Sequence, residues 1–325
     1  MERENTDRRA FLLLGLVMLL WAGNSIVARA VRFDVPPLAL ALGRWTFASL
    51  LLVPFAIPAL RRDWPALLRG WKIVLALGLL GVGCFNALLY TGLRYTTATN
   101  ALLLQAAIPA LVLLFERLLF GTRAGRLQLC ATALSMVGVC VVVFQGDPAH
   151  VLAMHFGFGD VLILITVVIW ALYTVLLRLR PQTSKPISFI FATFVIGVIA
   201  LAPFAVWEWS QGERVHATWA AAGGLAYVSI FPSIISYFIY NSAAAKVGAA
   251  RAGQAITLMP VFGAFLSAAL LGEQLHPYHF AGIALIVGGI VIGALALARE
   301  SATRKVFAET LRTGPPPGAP LEDRA

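Results

Sequence analysis

Trp21-Ala22-Gly23-Asn24-Ser25-Ile26-Val27-Ala28-Arg29 returns 149 residues later as Trp170-Ala171-Leu172-Tyr173-Thr174-Val175-Leu176-Leu177-Arg178, with tryptophan and arginine in register. The same offset carries Pro37 to Pro186 and the run Pro54-Phe55-Ala56 to Pro203-Phe204-Ala205. An offset of 151 carries Pro109 and Gly121 to Pro260 and Gly272. The chain is therefore an internal duplication, and its repeated residues lie in stretches apolar enough to cross a bilayer. Duplicated polytopic chains are organised as transporters are, with two halves that rock about a site at their interface.

Composition places the chain in a lipid solvent. Hydrophobic residues make up 60% and charged ones 12%, with mean hydropathy +0.84, against roughly 45–50% and 25% in a soluble domain. The net charge of +10 sits in short segments between apolar runs. It does not form a basic stripe with interleaved aromatics, which argues against nucleic acid. Cys84, Cys130 and Cys140 lie inside apolar runs without a CxxC pair and read as small buried hydrophobes.

A window of about 20 residues gives ten candidate helices, near 10–29, 36–58, 71–92, 97–120, 127–145, 158–178, 187–207, 217–240, 248–271 and 278–298. The first has a longer apolar run than a signal peptide and no A-x-A-like site after it. Alternate connections divide the Lys and Arg residues unequally. One set of segments, including both termini, holds twenty, and the other holds only Arg29, Arg32, Arg94 and Arg214. Cytoplasmic segments retain positive charge, so both termini are expected inside. Five helices per repeat is an odd number, so the second repeat must be inverted relative to the first. The expected organisation is an all-α membrane protein: a cytoplasmic segment 1–9, a first repeat 10–145, an external linker 146–157, a second repeat 158–298 and a disordered cytoplasmic tail 299–325.

Polar and aromatic side chains within spans either line a cavity or pack between helices. Trp21 and Asn24 share one face of the first helix, and Trp170 and Tyr173 share one face of its repeat mate. Asn86 and Tyr90 on the third span answer Ser233, Ser236, Tyr237, Tyr240 and Asn241 on the eighth. Aromatic faces and hydroxyls suit a ligand with an apolar body and a zwitterionic head; interhelical hydrogen bonding accounts for the same residues. Gln105, Gln254 and Thr257 flank Pro109 and Pro260, where a missing N–H frees the carbonyl of Gln105 or Ile256. Arg44 lies eight residues past Pro36, about 12 Å along a helix. It is a permanent cation that could meet a substrate carboxylate or hold helix ends together. Glu116 is expected to pair with Arg117 or Arg123. Glu273, His276 and His279 straddle a loop ending in Pro277 with no further ligand, so no metal is expected. Gly289 and Gly293 fit close helix packing.

Several of these segments resemble the EamA-type branch of the drug/metabolite transporter superfamily. The first half contributes Trp21 to Ser25, Arg44-Trp45 and Tyr90 to Ala98; the second contributes Tyr240 to Ala243, Gly248 to Arg251, Met259-Pro260-Val261-Phe262, Leu271-Gly272-Glu273 and Gly282 to Gly289. The likeness spans about residues 8–298, and the first half departs from it where Phe120-Gly121-Thr122 stands opposite Leu271-Gly272-Glu273. It implies a ten-helix secondary carrier of the inner membrane that exports small metabolites. A YddG-like exporter of aromatic and other neutral amino acids is the foremost expectation, and a multidrug exporter is the rival. A membrane-embedded enzyme is the remote alternative, because GxxxxGK[ST], G-x-S-x-G and H-E-x-x-H motifs are absent. The expected partners are a small-molecule substrate and lipid, with no cofactor and no nucleic acid, and a monomer is expected. The residues expected to meet substrate are Trp21, Asn24, Arg44, Asn86, Tyr90, Gln105, Trp170, Tyr173, Tyr237, Tyr240, Gln254 and Thr257.

Overall fold

The structure, a computed structural model, describes residues 2–122, 124–144, 146–147, 157–272 and 274–293. Those residues form helices and connecting turns, with no strand among them. In chain order the helices are α1 (Glu2–Ala30), α2 (Pro37–Arg69), α3 (Trp71–Tyr95), α4 (Ala98–Gln105), α5 (Ile108–Phe120) and α6 (Arg126–Val143). The second half supplies α7 (Phe158–Leu176), α8 (Pro186–Ser210), α9 (Trp219–Val247), α10 (Ala249–Ala255), α11 (Met259–Leu271) and α12 (Pro277–Gly293). Among the described residues seven helical runs are long and apolar enough to cross a membrane, and Arg126–Val141 and Pro277–Gly293 are shorter apolar helices.

Some expected boundaries change. The fourth span is two helices, because Pro109 and its neighbours begin a new helix at Ile108 after a turn at residues 106 and 107. Its mate breaks the same way, through a 3₁₀ turn at Ile256–Leu258 before Pro260. Helices α5 and α11 then end on left-handed Gly121 (φ 67°) and Gly272 (φ 69°), a backbone that favours glycine. Helix α2 runs eleven residues beyond the expected end, through Pro58 and Pro65, because its last turns are anchored to α8. The expected tail 299–325, most of the linker 146–157, Arg123 and Glu273 lie outside the described residues.

Helices α2 and α8, the second of each half, pack along their length and run antiparallel. Asp63 near the end of α2 accepts from Lys185 N–H (2.7 Å) and from the Ser188 hydroxyl (2.7 Å) at the start of α8. Glu208 near the end of α8 accepts from Leu38 N–H (3.1 Å) and Ala39 N–H (2.9 Å) at the start of α2. Proline opens both helices and neither has a side-chain cap of its own. Each carboxylate therefore satisfies the orphan N–H groups of the other helix and meets the positive end of its dipole.

Other packing recurs with the halves exchanged. Helix α3 lies on α7 as α9 lies on α1, and α5 lies on α7 as α11 lies on α1. Helix α6 meets α12, where Gly138 and Gly289 leave no room for a Cβ against Leu285 and Ser135. Large apolar residues such as Phe47, Leu50 and Phe55 of α2 cover the outside of the bundle, with Trp64 and Trp71 exposed at one end and Trp207, Trp209 and Trp219 at the other. An apolar band edged by tryptophans is the surface that lipid and its interfaces require. The cysteines correct one expectation: Cys84 and Cys130 are exposed and Cys140 partly so, since they sit on this outer surface and not in the core.

Replacing Asp63 or Glu208 by Ala leaves two buried donors unpaired and should cost about 2 kcal/mol each. Thermal unfolding of the purified protein measures this, and an unchanged midpoint would show that the two carboxylates do not hold the pair.

Candidate functional site

Both third-of-half helices are interrupted by a π turn at matching positions. Leu79–Cys84 interrupts α3 and Ile230–Ile235 interrupts α9. In α9 the cause is Pro232, which has no N–H to give Val228; the freed carbonyl accepts instead from the Ser233 hydroxyl at 2.6 Å. Helix α3 has no proline there, and its π turn carries Gly81 and Gly83, with Gly81 so close to Tyr173 that a Cβ would overlap the ring. Each π turn releases a carbonyl that a residue of the other half then binds. Tyr237 donates its hydroxyl to Gly81 O, and Trp21 Nε1 donates to Pro232 O at 3.1 Å.

Those donors belong to one aromatic cluster. Trp21 meets Trp170 edge-on with centroids 5.0 Å apart and lies 4.9 Å from Tyr240. Trp170 lies 4.8 Å from Tyr173 and 4.7 Å from Phe85. Tyr237 closes the group against Trp45 at 5.1 Å, and Phe194 lies behind Trp45 at 4.5 Å.

Arg44 sits beside the cluster, 2% exposed. Its Nε donates to Ser233 Oγ at 2.5 Å, and its Nη1 donates to Asn24 Oδ1 (3.0 Å), Asn86 Oδ1 (2.7 Å) and Tyr90 OH (2.7 Å). Tyr90 in turn donates to Asn24 Oδ1 at 2.7 Å. The guanidinium carbon also lies 4.5 Å from the Trp45 ring centroid. Every partner is neutral. Among the described residues Arg44 forms no ion pair, so its charge is hydrogen-bonded but not neutralised. Burying a charge costs several kcal/mol unless it is paired.

A central cavity joins these groups. Trp21, Asn24, Arg44, Asn86, Gln105 and Trp170 line it, and Phe85, Tyr237 and Met259 close it. Its free space is about 20 Å³, room for one water, so the structure is occluded at its centre. Ser25 Oγ, Asn86 Nδ2 and Trp170 Nε1 are buried around it without a well-aligned hydrogen bond.

Most of the expected site residues converge here. Trp21, Asn24, Arg44, Asn86, Gln105, Trp170 and Tyr237 line the cavity, and Tyr90 holds Arg44 from behind. Tyr173 and Tyr240 lie one layer away, where Tyr173 donates to Asn241 Oδ1 (3.0 Å) and Tyr240 shares a 3.0 Å hydrogen bond with Thr174. Gln254 and Thr257 are not brought to the cavity. Gln254 Nε2 donates to Gly289 O of α12 at 3.3 Å, and Thr257 Oγ1 turns back to Gln254 O at 2.7 Å. Gln105 Nε2 likewise turns back to Ala101 O at 3.1 Å. At α12 the His276 N–H donates to His279 Nδ1 at 2.9 Å. No cluster of three metal-ligating side chains occurs among the described residues. The sequence reading singled out no role for Phe85 or Ser25, which carry no signal beyond an apolar or small residue in a span. Asp63 and Glu208 were passed over as well, although a carboxylate inside an apolar run was a visible sign.

A bundle of apolar helices closed around a buried polar and aromatic centre is the build of a membrane transporter. Two stretches, 8–144 and 157–294, match the EamA-like transporter family. The chain belongs to that family and is a multi-pass integral membrane transporter. An uncharacterized transporter of Archaeoglobus fulgidus is 30% identical over 88% of this chain and 95% of its own length. The uncharacterized transporter YetK of Bacillus subtilis is 26% identical over 83% of this chain and 82% of its own. A solved crystal structure with 21% identity superposes at a TM-score of 0.68, covering 90% of this chain and 98% of that one.

Removing one aromatic donor should loosen the π turn it serves. Tyr237→Phe leaves Gly81 O unpaired and Trp21→Phe leaves Pro232 O unpaired, each costing about 1–3 kcal/mol. Hydrogen–deuterium exchange should rise around 79–86 in the first variant and around 230–237 in the second; unchanged exchange would mean the carbonyls are satisfied otherwise.

Proposed function

We propose that the protein is a secondary exporter of small metabolites, with aromatic and other neutral amino acids foremost. It would work by alternating access between two inverted five-helix repeats, with both termini in the cytoplasm. The observation that carries the substrate class is Arg44: a buried cation held by four neutral acceptors and facing a cavity whose other walls are aromatic. A substrate carboxylate supplies the missing counter-charge, and the tryptophan and tyrosine faces receive an apolar side chain. A cationic drug would bring a second positive charge to the same place, which disfavours the multidrug reading.

The inverted arrangement is supported by the antiparallel α2–α8 pair and by the charge bias of the connections. Ten spans follow if α4 with α5, and α10 with α11, each count as one broken crossing, the form in which transporter helices offer backbone groups to a substrate. The occluded cavity must open to one side at a time, and the rocking of one half against the other would do this.

Counterflow in proteoliposomes tests the reading with phenylalanine, leucine, a sugar and a cationic drug, with and without a pH gradient. Phenylalanine should exchange saturably, and Arg44→Gln, Trp21→Ala and Trp170→Ala should each cut exchange about tenfold or more while the protein still elutes as a folded species. Drug exchange without amino-acid exchange would overturn the substrate class. Cysteine accessibility should find both termini inside; an external terminus would overturn the topology.

A further inference from the structure

A second space opens away from the central cavity, between the end of α7, helix α5 and the α9–α10 junction. Its volume is about 340 Å³, within the range of small-ligand sites. Elements of both halves line it, including Glu116, Thr174, Arg178, Arg180 and Gly248. Glu116 and Arg180 are half-buried, and Arg178 is exposed and stacked 4.1 Å over Phe120. Among the described residues neither Glu116 nor either arginine forms an ion pair or a side-chain hydrogen bond, and the expected pairing of Glu116 with Arg117 does not form. One carboxylate and two guanidinium groups thus face one vestibule without using each other.

The duplication sharpens the point. Arg29, the repeat mate of Arg178, binds Leu93 O at 2.5 Å and Arg94 O at 3.2 Å and so ties α1 to the end of α3. Arg94 is further held by Glu213 at 2.9 and 3.2 Å. At the other end of the molecule the equivalent arginine has no such structural task. The vestibule also touches the centre: Thr174 lines it, and its hydrogen-bond partner Tyr240 packs on Trp21 and Trp170. The bonds Thr174–Tyr240 and Tyr173–Asn241 form a single layer between the two spaces.

We propose that this vestibule is a loading site for zwitterions on the cytoplasmic side, with Glu116 taking the ammonium and Arg178 and Arg180 the carboxylate, one layer before the Arg44 cavity. The site rests on the substrate class and sidedness inferred above. Its requirement for both charges distinguishes it from an anion site.

Titration calorimetry of the purified full-length protein tests it, using L-phenylalanine, 3-phenylpropanoate and phenethylamine as probes. Glu116→Gln should weaken phenylalanine about tenfold, the effect of losing one charge-assisted contact, and leave 3-phenylpropanoate unchanged. The double change Arg178→Gln with Arg180→Gln should weaken phenylalanine by the same factor and leave phenethylamine unchanged, and lysine at both positions should restore much of the loss. Arg44→Gln should abolish transport while these effects of Glu116→Gln persist. Wild-type affinities for all three probes in the vestibule variants overturn the loading site; if Arg44→Gln still loses phenylalanine binding, the central reading stands. Equal weakening of all three probes would mark a packing role and also overturn it. Failure of the wild-type protein to bind phenylalanine overturns both readings.

Discussion

A carbonyl released from its helix inside an apolar bundle must find a donor, because neither lipid nor packed side chains supply one. This constraint organises the centre of the molecule. The two π turns and the two broken helices each release backbone acceptors, and the donors to the π turns are Tyr237 and Trp21, each from the opposite half. The same rings form the walls of the cavity. Backbone satisfaction and the shape of the site are therefore one set of contacts, and a movement that separates the halves must exchange those donors for others, water or substrate among them.

Charge is placed by the same economy. Asp63 and Glu208 lie at opposite ends of the α2–α8 pair and face helix N-termini, so both are matched without a basic partner at the point of contact. Arg44 lies between them along α2, surrounded by neutral oxygens. The pair thus forms a spine with its negative groups satisfied at the ends and its positive group left open in the middle. Glu116, Arg178 and Arg180 repeat that incompleteness at one mouth of the bundle, and the outer mouth, with Arg94 on Glu213, does not.

The duplication, the apolar spans and the convergence of Trp21, Trp170, Asn24, Arg44 and Asn86 were legible because they depend on residue type at fixed spacing. Pro109 and Pro260 marked the broken helices correctly, since a missing N–H is a local property. Gln254 and Thr257 looked equivalent to Gln105 on the same grounds, but which face of a short helix turns inward depends on its neighbours, and Gly289 offers Gln254 a carbonyl on the other side. The first π turn had no comparable sign: Gly81 and Gly83 permit it, and the approach of Tyr173 and Tyr237 completes it. The cross-capping of α2 by Glu208 spans 170 residues and could not be read before the two helices were seen side by side.

The π turns also carry a consequence for angular phase. A residue added to a helix without adding a turn rotates all that follows by about 100° about the axis. Asn86 and Tyr90 lie beyond the turn in α3, and Tyr237 and Tyr240 lie beyond the turn in α9. These side chains point inward only because of that added residue. A relative that lacks it in one half would present a different stripe of its helix to the same centre, with no change at any polar position. Selectivity within such a fold can then diverge through one-residue insertions and deletions as readily as through substitution.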